Sequence, residues 1–371
     1  MEPVRIAFFG PMNSGKSTLV NALAGQEVSL VSAVPGTTTD PVRKRMEIPD
    51  IGPCVLIDTA GLDDGSLLGP ERARLTRRIL DETDIAVLLT PADAGQPFAF
   101  PGTMTAVPVI RVMTKADLGG TVPDGMIPVS TVTGEGIPEL LAKIKEVLPK
   151  EEKRFLTGNL VKAGDTVLLV MPQDSEAPKG RLILPQVQVI RELLDRGCIP
   201  CCCTPESLRK ALDCHPDLVI TDSQVFALVE RTIPKDCPLT SFSILLAAAK
   251  GDVNVFTEGA KAIDTLGPDS RVLIAEACTH VPDHEDIGRV KIPALLRKKA
   301  GDLKVDIAAG DDFPEDLSPY DLIIHCGACV ATSRLVRART KKALLAGVPI
   351  TNYGISLAKL QGILDRVEIP S

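Results

Sequence analysis

The sequence contains no tryptophan, and only 3% of its 371 residues are aromatic. Its cores must therefore be built from Val, Ile, Leu and Ala. Basic blocks are missing as well: 41 Lys and Arg face 48 Asp and Glu, a net charge of −7 with a pI near 5.3. Gripping RNA or DNA needs a basic face to neutralise phosphates, so the charge argues against a nucleic-acid partner, a small local patch apart. No run reaches the ~18 apolar residues of a membrane span. Met1 to Ile6 leads into a strand-like segment without a charged region followed by a long apolar stretch. We therefore expect no secretory signal, no membrane partner and a cytoplasmic protein.

Cysteine is not scarce. In a reducing compartment ten cysteines point to metal, redox or buried-thiol chemistry rather than to a disulfide framework. Cys54 stands alone in the first third, six lie from Cys198 to Cys237, and Cys278, Cys326 and Cys329 fall in the last third.

Apolar residues at 44% and charged residues at 24% fit a globular chain, and the length suits two or three domains. Short β-rich runs (Ile6–Phe9, Val55–Asp58, Ile85–Leu89, Val107–Val112) alternate with helical segments (Ser17–Ala24, Arg72–Leu80, Ile137–Leu148). The alternation predicts an α/β fold: an N-terminal domain over 1–150 with a mostly parallel sheet, then two smaller α/β domains. The charged run Lys150 to Arg154 reads as a linker. Further alternating units follow, with boundaries expected at 160–254 and 255–371.

Gly10-Pro11-Met12-Asn13-Ser14-Gly15-Lys16-Ser17 matches G-x-x-x-x-G-K-[ST] between a predicted strand and a predicted helix. Backbone N–H groups of such a loop curl around the β-phosphate at the positive end of a helix. Lys16 would reach the β- and γ-phosphates, the Ser17 hydroxyl would ligate Mg2+, and Thr18 continues the loop into the helix. Asp58-Thr59-Ala60-Gly61 ends a strand. Its Asp58 would meet Mg2+ through water and its Gly61 N–H the γ-phosphate. Gly36-Thr37-Thr38-Thr39-Asp40 resembles the first switch of translation-factor-like GTPases, with Thr38 as the Mg2+ and γ-phosphate contact. Thr114-Lys115-Ala116-Asp117 resembles the N-K-x-D guanine reader. Asp117 would accept from guanine N1–H and the 2-amino group; Thr114 replaces the usual Asn, a change expected to loosen the site. Ser130 and Thr131 begin a stretch similar to the loop that touches guanine O6. GTP with Mg2+ is the expected ligand, and Lys16, Thr38 and Gly61 the catalytic contacts.

Ras-like enzymes place Gln after D-T-A-G to orient the attacking water, and Leu62 cannot do so. A subgroup with an apolar residue there, including the tRNA-modifying type, uses K+ held in part by a P-loop Asn. Asn13 occupies that place, so hydrolysis is expected to be slow and K+-stimulated. Asp63, Asp64 and Glu71 lie nearby without a basis for choosing among them.

Cys278-Thr279-His280 follows one predicted strand, and His325-Cys326-Gly327-Ala328-Cys329 ends another. Carboxyl ends of parallel strands face one crevice, so the two loops can bring thiolates and imidazoles together. Gly327 is expected to let the C-x-x-C loop turn tightly, and His284 lies close by. Three Cys with an exchangeable fourth ligand suit an iron–sulfur cluster, and two Cys with two His suit zinc; spacing alone leaves both open.

A GTPase domain followed by C-x-H and H-C-x-x-C resembles the FeFe-hydrogenase maturation GTPase family, HydF. Leu239 to Leu245 and Lys250-Gly251-Asp252 are also similar to that family. The resemblance implies a 4Fe-4S cluster on Cys278, Cys326 and Cys329. Its fourth position would be labile, taken by water, His280, His325 or Glu276. It implies a dimerisation domain in the middle and a homodimer. It also implies a scaffold or carrier that receives a di-iron H-cluster precursor, assembled with two radical-SAM maturation enzymes, and passes it to apo-FeFe-hydrogenase. Cys198 to Cys203 contains another C-x-x-C, but neighbouring residues of a strand point to opposite faces, which favours core thiols over a second metal. A tRNA- or ribosome-associated GTPase would leave the late cysteines unexplained, and a zinc-binding regulatory GTPase remains the other alternative.

Overall fold

The computed structural model describes residues 3–24, 42–48, 51–59, 76, 79–99, 107–148, 155–173, 180, 182–277, 286–310, 312–329 and 331–371. The chain divides into two compact units, Met1–Glu151 and Glu152–Ser371.

The first unit is built on a six-stranded sheet in the order β2-β3-β1-β4-β5-β6. Its strands are β1 (Val4–Phe9), β2 (Val42–Ile48), β3 (Gly52–Asp58), β4 (Ile85–Pro91), β5 (Val109–Thr114) and β6 (Met126–Val129). All pair in parallel except β2, which runs antiparallel along β3. Alternation along β1 explains the layering. Ile6 and Phe8 pack with Leu19, Leu140 and Ile144 on one face, while Ala7 and Phe9 pack with Val55, Ile57 and Ile79 on the other. A strand covered on both faces reads as a continuous apolar run, as β4 does, with every residue buried. Strand β2 was not anticipated. Its sequence, Val-Arg-Lys-Arg-Met-Glu-Ile, is that of an exposed edge, where charge blocks pairing with another chain. Most of the expected helix over 72–80 lies outside the described residues.

The second unit contains two all-parallel four-stranded sheets, ordered β10-β9-β7-β8 and β12-β11-β13-β14. The first comprises β7 (Thr166–Val170), β8 (Ile199–Cys203), β9 (Leu218–Thr221) and β10 (Leu239–Ser241). The second comprises β11 (Arg271–Ala275), β12 (Lys304–Ala308), β13 (Leu322–His325) and β14 (Ile350–Asn352). One core runs through both: Leu168, Val219 and Leu239 belong to it with Leu273, Ile323 and Ile350. Helices Phe242–Lys250, Val253–Ala260 and Tyr353–Leu360 contribute Ile244, Phe256 and Ile355 to it. Close approach replaces side chains at two glycines. A Cβ on Gly259 would stand 2.0 Å from Ile350 O, and one on Gly354 would stand 2.9 Å from Ser243 Cβ.

Strand β8 turns Cys202 to solvent, while Cys201 and Cys203 pack against the shared core with Cys214. Cys198 and Cys237 are buried. Among the described residues no helix is long and apolar enough to cross a membrane.

Candidate functional site

The phosphate-binding loop connects β1 to helix Lys16–Ala24. Two of its residues take left-handed backbone, Asn13 at φ 59° and Gly15 at φ 82°. Asn tolerates this region better than most residues, and Gly enters it without steric penalty. Gly10 is required for a different reason: a Cβ there would come within 2.7 Å of Ser14 Oγ and 2.8 Å of Leu89 O. Lys16 is 8% exposed and its ammonium donates to Gly10 O at 3.0 Å and Pro11 O at 2.7 Å. Ser17 Oγ donates to Asp58 Oδ2 at 2.5 Å, which joins the loop serine expected to ligate Mg2+ to the end of β3. Burial raises the Asp58 carboxyl above its ordinary value, and the Ser17 hydroxyl, Lys16 and Lys44 oppose the rise. Ser14 Oγ is buried with no hydrogen-bond partner among the described residues, as suits a loop made to meet phosphate oxygens.

The residues expected to read guanine sit at the ends of β5 and β6. Lys115 is left-handed at φ 58°, turning the chain so that Asp117 sits beside Ser130. Ser130 Oγ donates to Asp117 Oδ1 at 2.7 Å and accepts from the N–H groups of Val132 and Thr133 at 3.2 Å each. Lys115 pairs with Asp93 at 3.1 Å. Thr114 does not leave the loop unsupported. Its Oγ1 donates to Ser14 O at 2.7 Å. Thr18 and Thr131 lie at the surface of this region, exposed and half-buried respectively. Thr38, Gly61, Leu62, Asp63, Asp64 and Glu71 lie outside the described residues.

The second candidate site lies where β11 and β13 end side by side, with Ala275 opposite His325. Cys326 N donates to Ala275 O at 2.9 Å. Cys326 Sγ accepts from Ala277 N at 3.1 Å and Ala328 N at 3.4 Å. Burial pushes the Cys326 thiol up, and these two amides pull it back. Cys329 lies three residues on in the same loop, half-buried. Two soft thiols on one loop, one already receiving amide N–H groups, are a donor set that fits an iron–sulfur group. Cys278, His280 and His284 lie outside the described residues. Among the described residues no group of three or more metal-competent side chains is assembled.

The positive-φ residue of the C-x-x-C loop is Ala328, at φ 51°, and not Gly327. Glu276 is 1% exposed, and Arg289 clasps both its oxygens, at 3.2 and 2.7 Å. His325 is 1% exposed, with Nδ1 2.8 Å from Cys326 O and Nε2 3.3 Å from Arg339. Burial, then the Arg339 charge, lowers its pKa to about 4. His325 must give up a partner before either ring nitrogen can ligate a metal, whereas the Glu276 oxygens keep lone pairs beyond those that Arg289 takes. Arg339 also donates to Glu276 O at 3.1 Å and Gly310 O at 2.5 Å. Sequence reasoning missed Arg289 and Arg339, because basic residues on basic helices look like a solvated face. It had no means of assigning Lys250 a contact.

A glycine loop between strand and helix, its serine joined to a β3 aspartate, and an aspartate-serine pair on the nucleobase side define a P-loop GTPase domain. Residues 5–115 match the family described as 50S ribosome-binding GTPase. Residues 156–251 match the Hydrogen maturase F dimerization domain, and residues 254–369 the Hydrogen maturase F tetramerization domain. The chain belongs to the hydrogen maturase F family.

Curated relatives include the tRNA modification GTPase MnmE of Acidiphilium cryptum, 45% identical over 148 residues, 39% of this chain and 33% of that protein. An MnmE of Thermus thermophilus is 34% identical over 211 residues, 52% of this chain and 47% of that protein. The chain thus spans between a third and a half of the length of these relatives. Among solved structures, Era of Aquifex aeolicus bound to GDP.AlF4- is 20% identical with a TM-score of 0.35, over 62% of this chain and 98% of that one. The G domain of the T. maritima FeoB iron transporter is 25% identical with a TM-score of 0.29, over 39% and 99%.

Proposed function

We propose that this chain hydrolyses GTP and acts as the scaffold or carrier that delivers a di-iron H-cluster precursor to apo-FeFe-hydrogenase. The observation that carries the reading is the joining, in one chain, of the P-loop with its Asp117 reader to the Cys326–Cys329 loop, within segments matched by two hydrogen maturase F domains. The cytoplasm is the proposed compartment, and radical-SAM maturation enzymes are the proposed donors of the cargo. Both maturase domains are named for self-association, which supports a homodimer or a higher assembly of this chain.

On the nucleotide side, Lys16 holds an ammonium inside the loop where charge on the β- and γ-phosphates must be balanced. Asp117, oriented by Ser130, accepts from guanine N1–H and the 2-amino group, donors that adenine lacks. Ser17, Asp58 and Thr38 would hold Mg2+, which supplies charge neutralisation on the phosphate oxygens. Gly61 contributes an N–H to the γ-phosphate. Leu62 has no group to orient water, so stimulation by K+ at Asn13 is part of the proposal. The combination of apolar Leu62 with Asn13 in the phosphate loop supports it.

On the carrier side, Cys278, Cys326 and Cys329 would hold a 4Fe-4S cluster, which supplies an open coordination position for a bridging ligand of the cargo. Ala277 N–H and Ala328 N–H stabilise the Cys326 thiolate. The test is anaerobic purification with iron and sulfide counted chemically and EPR after reduction. About four irons and four sulfides, lost in Cys326→Ala, are expected for one such cluster. Activation of apo-hydrogenase by loaded protein completes the test. Stoichiometric zinc, or no iron uptake, sinks the carrier reading and leaves the GTPase reading standing.

A further inference from the structure

Lys250 closes helix Phe242–Lys250 and is buried, 7% exposed. Its ammonium donates to Ala328 O at 2.6 Å, Ala331 O at 2.8 Å and Cys329 O at 3.4 Å. A buried ammonium is costly unless its donors find acceptors, and here three come from one turn. That turn is the one that carries the C-x-x-C cysteines.

The turn has reason to need holding. Ala328 is 2% exposed and sits at φ 51°, a region that costs an L-residue about 1 kcal/mol. It is fixed at both ends. Its N–H donates to Cys326 Sγ, and its carbonyl accepts from Lys250 and from Ala331 N. The helix bringing Lys250 is itself firmly seated. Ser241 caps its start by accepting from Ile244 N at 3.3 Å. At its end a Cβ on Gly251 would meet the Phe256 ring at 2.5 Å, so the ring packs directly on the backbone there.

The helix lies within residues 156–251, matched by the dimerization domain, and the turn within 254–369, matched by the tetramerization domain. The ammonium therefore ties one domain to the cysteine loop of the next.

We propose that Lys250 is a positioning residue for the Cys326–Cys329 loop, holding Ala328 in its left-handed conformation so that its N–H stays on the Cys326 sulfur. The proposal rests on the reading of that loop as an iron–sulfur site. Backbone N–H groups on cluster sulfurs raise reduction potential, so loss of Lys250 lowers it.

The test uses the full chain with Lys250→Met, which keeps the apolar stem and removes the donors. In protein without iron, amide hydrogen exchange of residues 327–331 should quicken by about fivefold, the effect of roughly one net hydrogen bond. After anaerobic loading with iron and sulfide, the midpoint potential in an EPR-monitored titration should fall. Adding Ala328→Gly should move both readouts back toward wild type, because Gly holds positive φ without strain. Should Lys250→Met fail to fold, recovery of folding by Ala328→Gly supports the clamp, and no recovery overturns it. Unchanged exchange and an unchanged potential in a folded variant also overturn it. Wild-type protein that takes up no iron refutes the iron–sulfur reading, while the exchange comparison still decides the role of Lys250.

Discussion

Thr114 Oγ1 donates to Ser14 O at 2.7 Å, joining residues 100 apart in the chain and tying the guanine-reading segment to the phosphate loop. A loop whose N–H groups curl around phosphate must be held in place from behind, and a side chain shorter than Asn does it here. Thr114→Val keeps the shape and removes the donor. A net hydrogen bond of about 1 kcal/mol predicts roughly fivefold weaker binding of GDP and GTP. Titration with a fluorescent guanine nucleotide reads this, and equal affinity would show that the bond contributes nothing.

Asp117, the proposed guanine reader, is held by Ser130. Asp117→Asn turns one acceptor into a donor. Affinity for GTP should fall by tenfold or more, as hydrogen bonds to charged groups contribute about 1.5–3 kcal/mol. Xanthosine triphosphate, which presents a carbonyl in place of the 2-amino group, should gain. Competition binding with the two nucleotides checks both directions.

Asn13 has positive φ, so its side chain and its backbone can be tested separately. Hydrolysis is expected to be faster in KCl than in NaCl. Asn13→Gly keeps the backbone accessible and removes the amide, and it should abolish the difference between the salts. Equal wild-type rates in both salts would remove K+ from the mechanism.

Buried Glu276 and half-buried Arg289 form an ion pair with two hydrogen bonds. Arg289→Met leaves the carboxylate buried without that partner, a change that costs about 3–5 kcal/mol. The thermal unfolding midpoint of the second unit should drop. Arg289→Met combined with Glu276→Met should recover part of the loss.

Gly259 brings helix Val253–Ala260 against the backbone of β14, and Gly259→Ala places a methyl group 2.0 Å from Ile350 O. Overpacking of about 1–3 kcal/mol is expected, read as a lower midpoint in denaturant. Nucleotide affinity, which belongs to the first unit, should not change.

Much of this was legible in the sequence where the physics is local. Gly10 to Ser17 needs only contiguous residues to form a phosphate loop, and the apolar runs around Ile6, Ile85 and Leu322 could be read as buried parallel strands. Strand β2 escaped because its charged residues match an exposed edge, which composition does not separate from a loop. Helix Val253–Ala260 escaped because Val, Phe and Thr supply little helix propensity, and packing on β14 overrides it.

By itself the sequence determined the nucleotide loop, the parallel α/β character of each unit and the grouping of chemistry-bearing residues into two loops. All of these depend on spacing and side-chain type. Only the tertiary structure decided that Thr114 braces Ser14, that Glu276 and His325 already have partners, and that Ala328 rather than Gly327 takes the left-handed turn. Those outcomes come from contacts between segments far apart in the chain. The order of strands brings such segments together, and a buried polar group must then take whichever partner that order supplies.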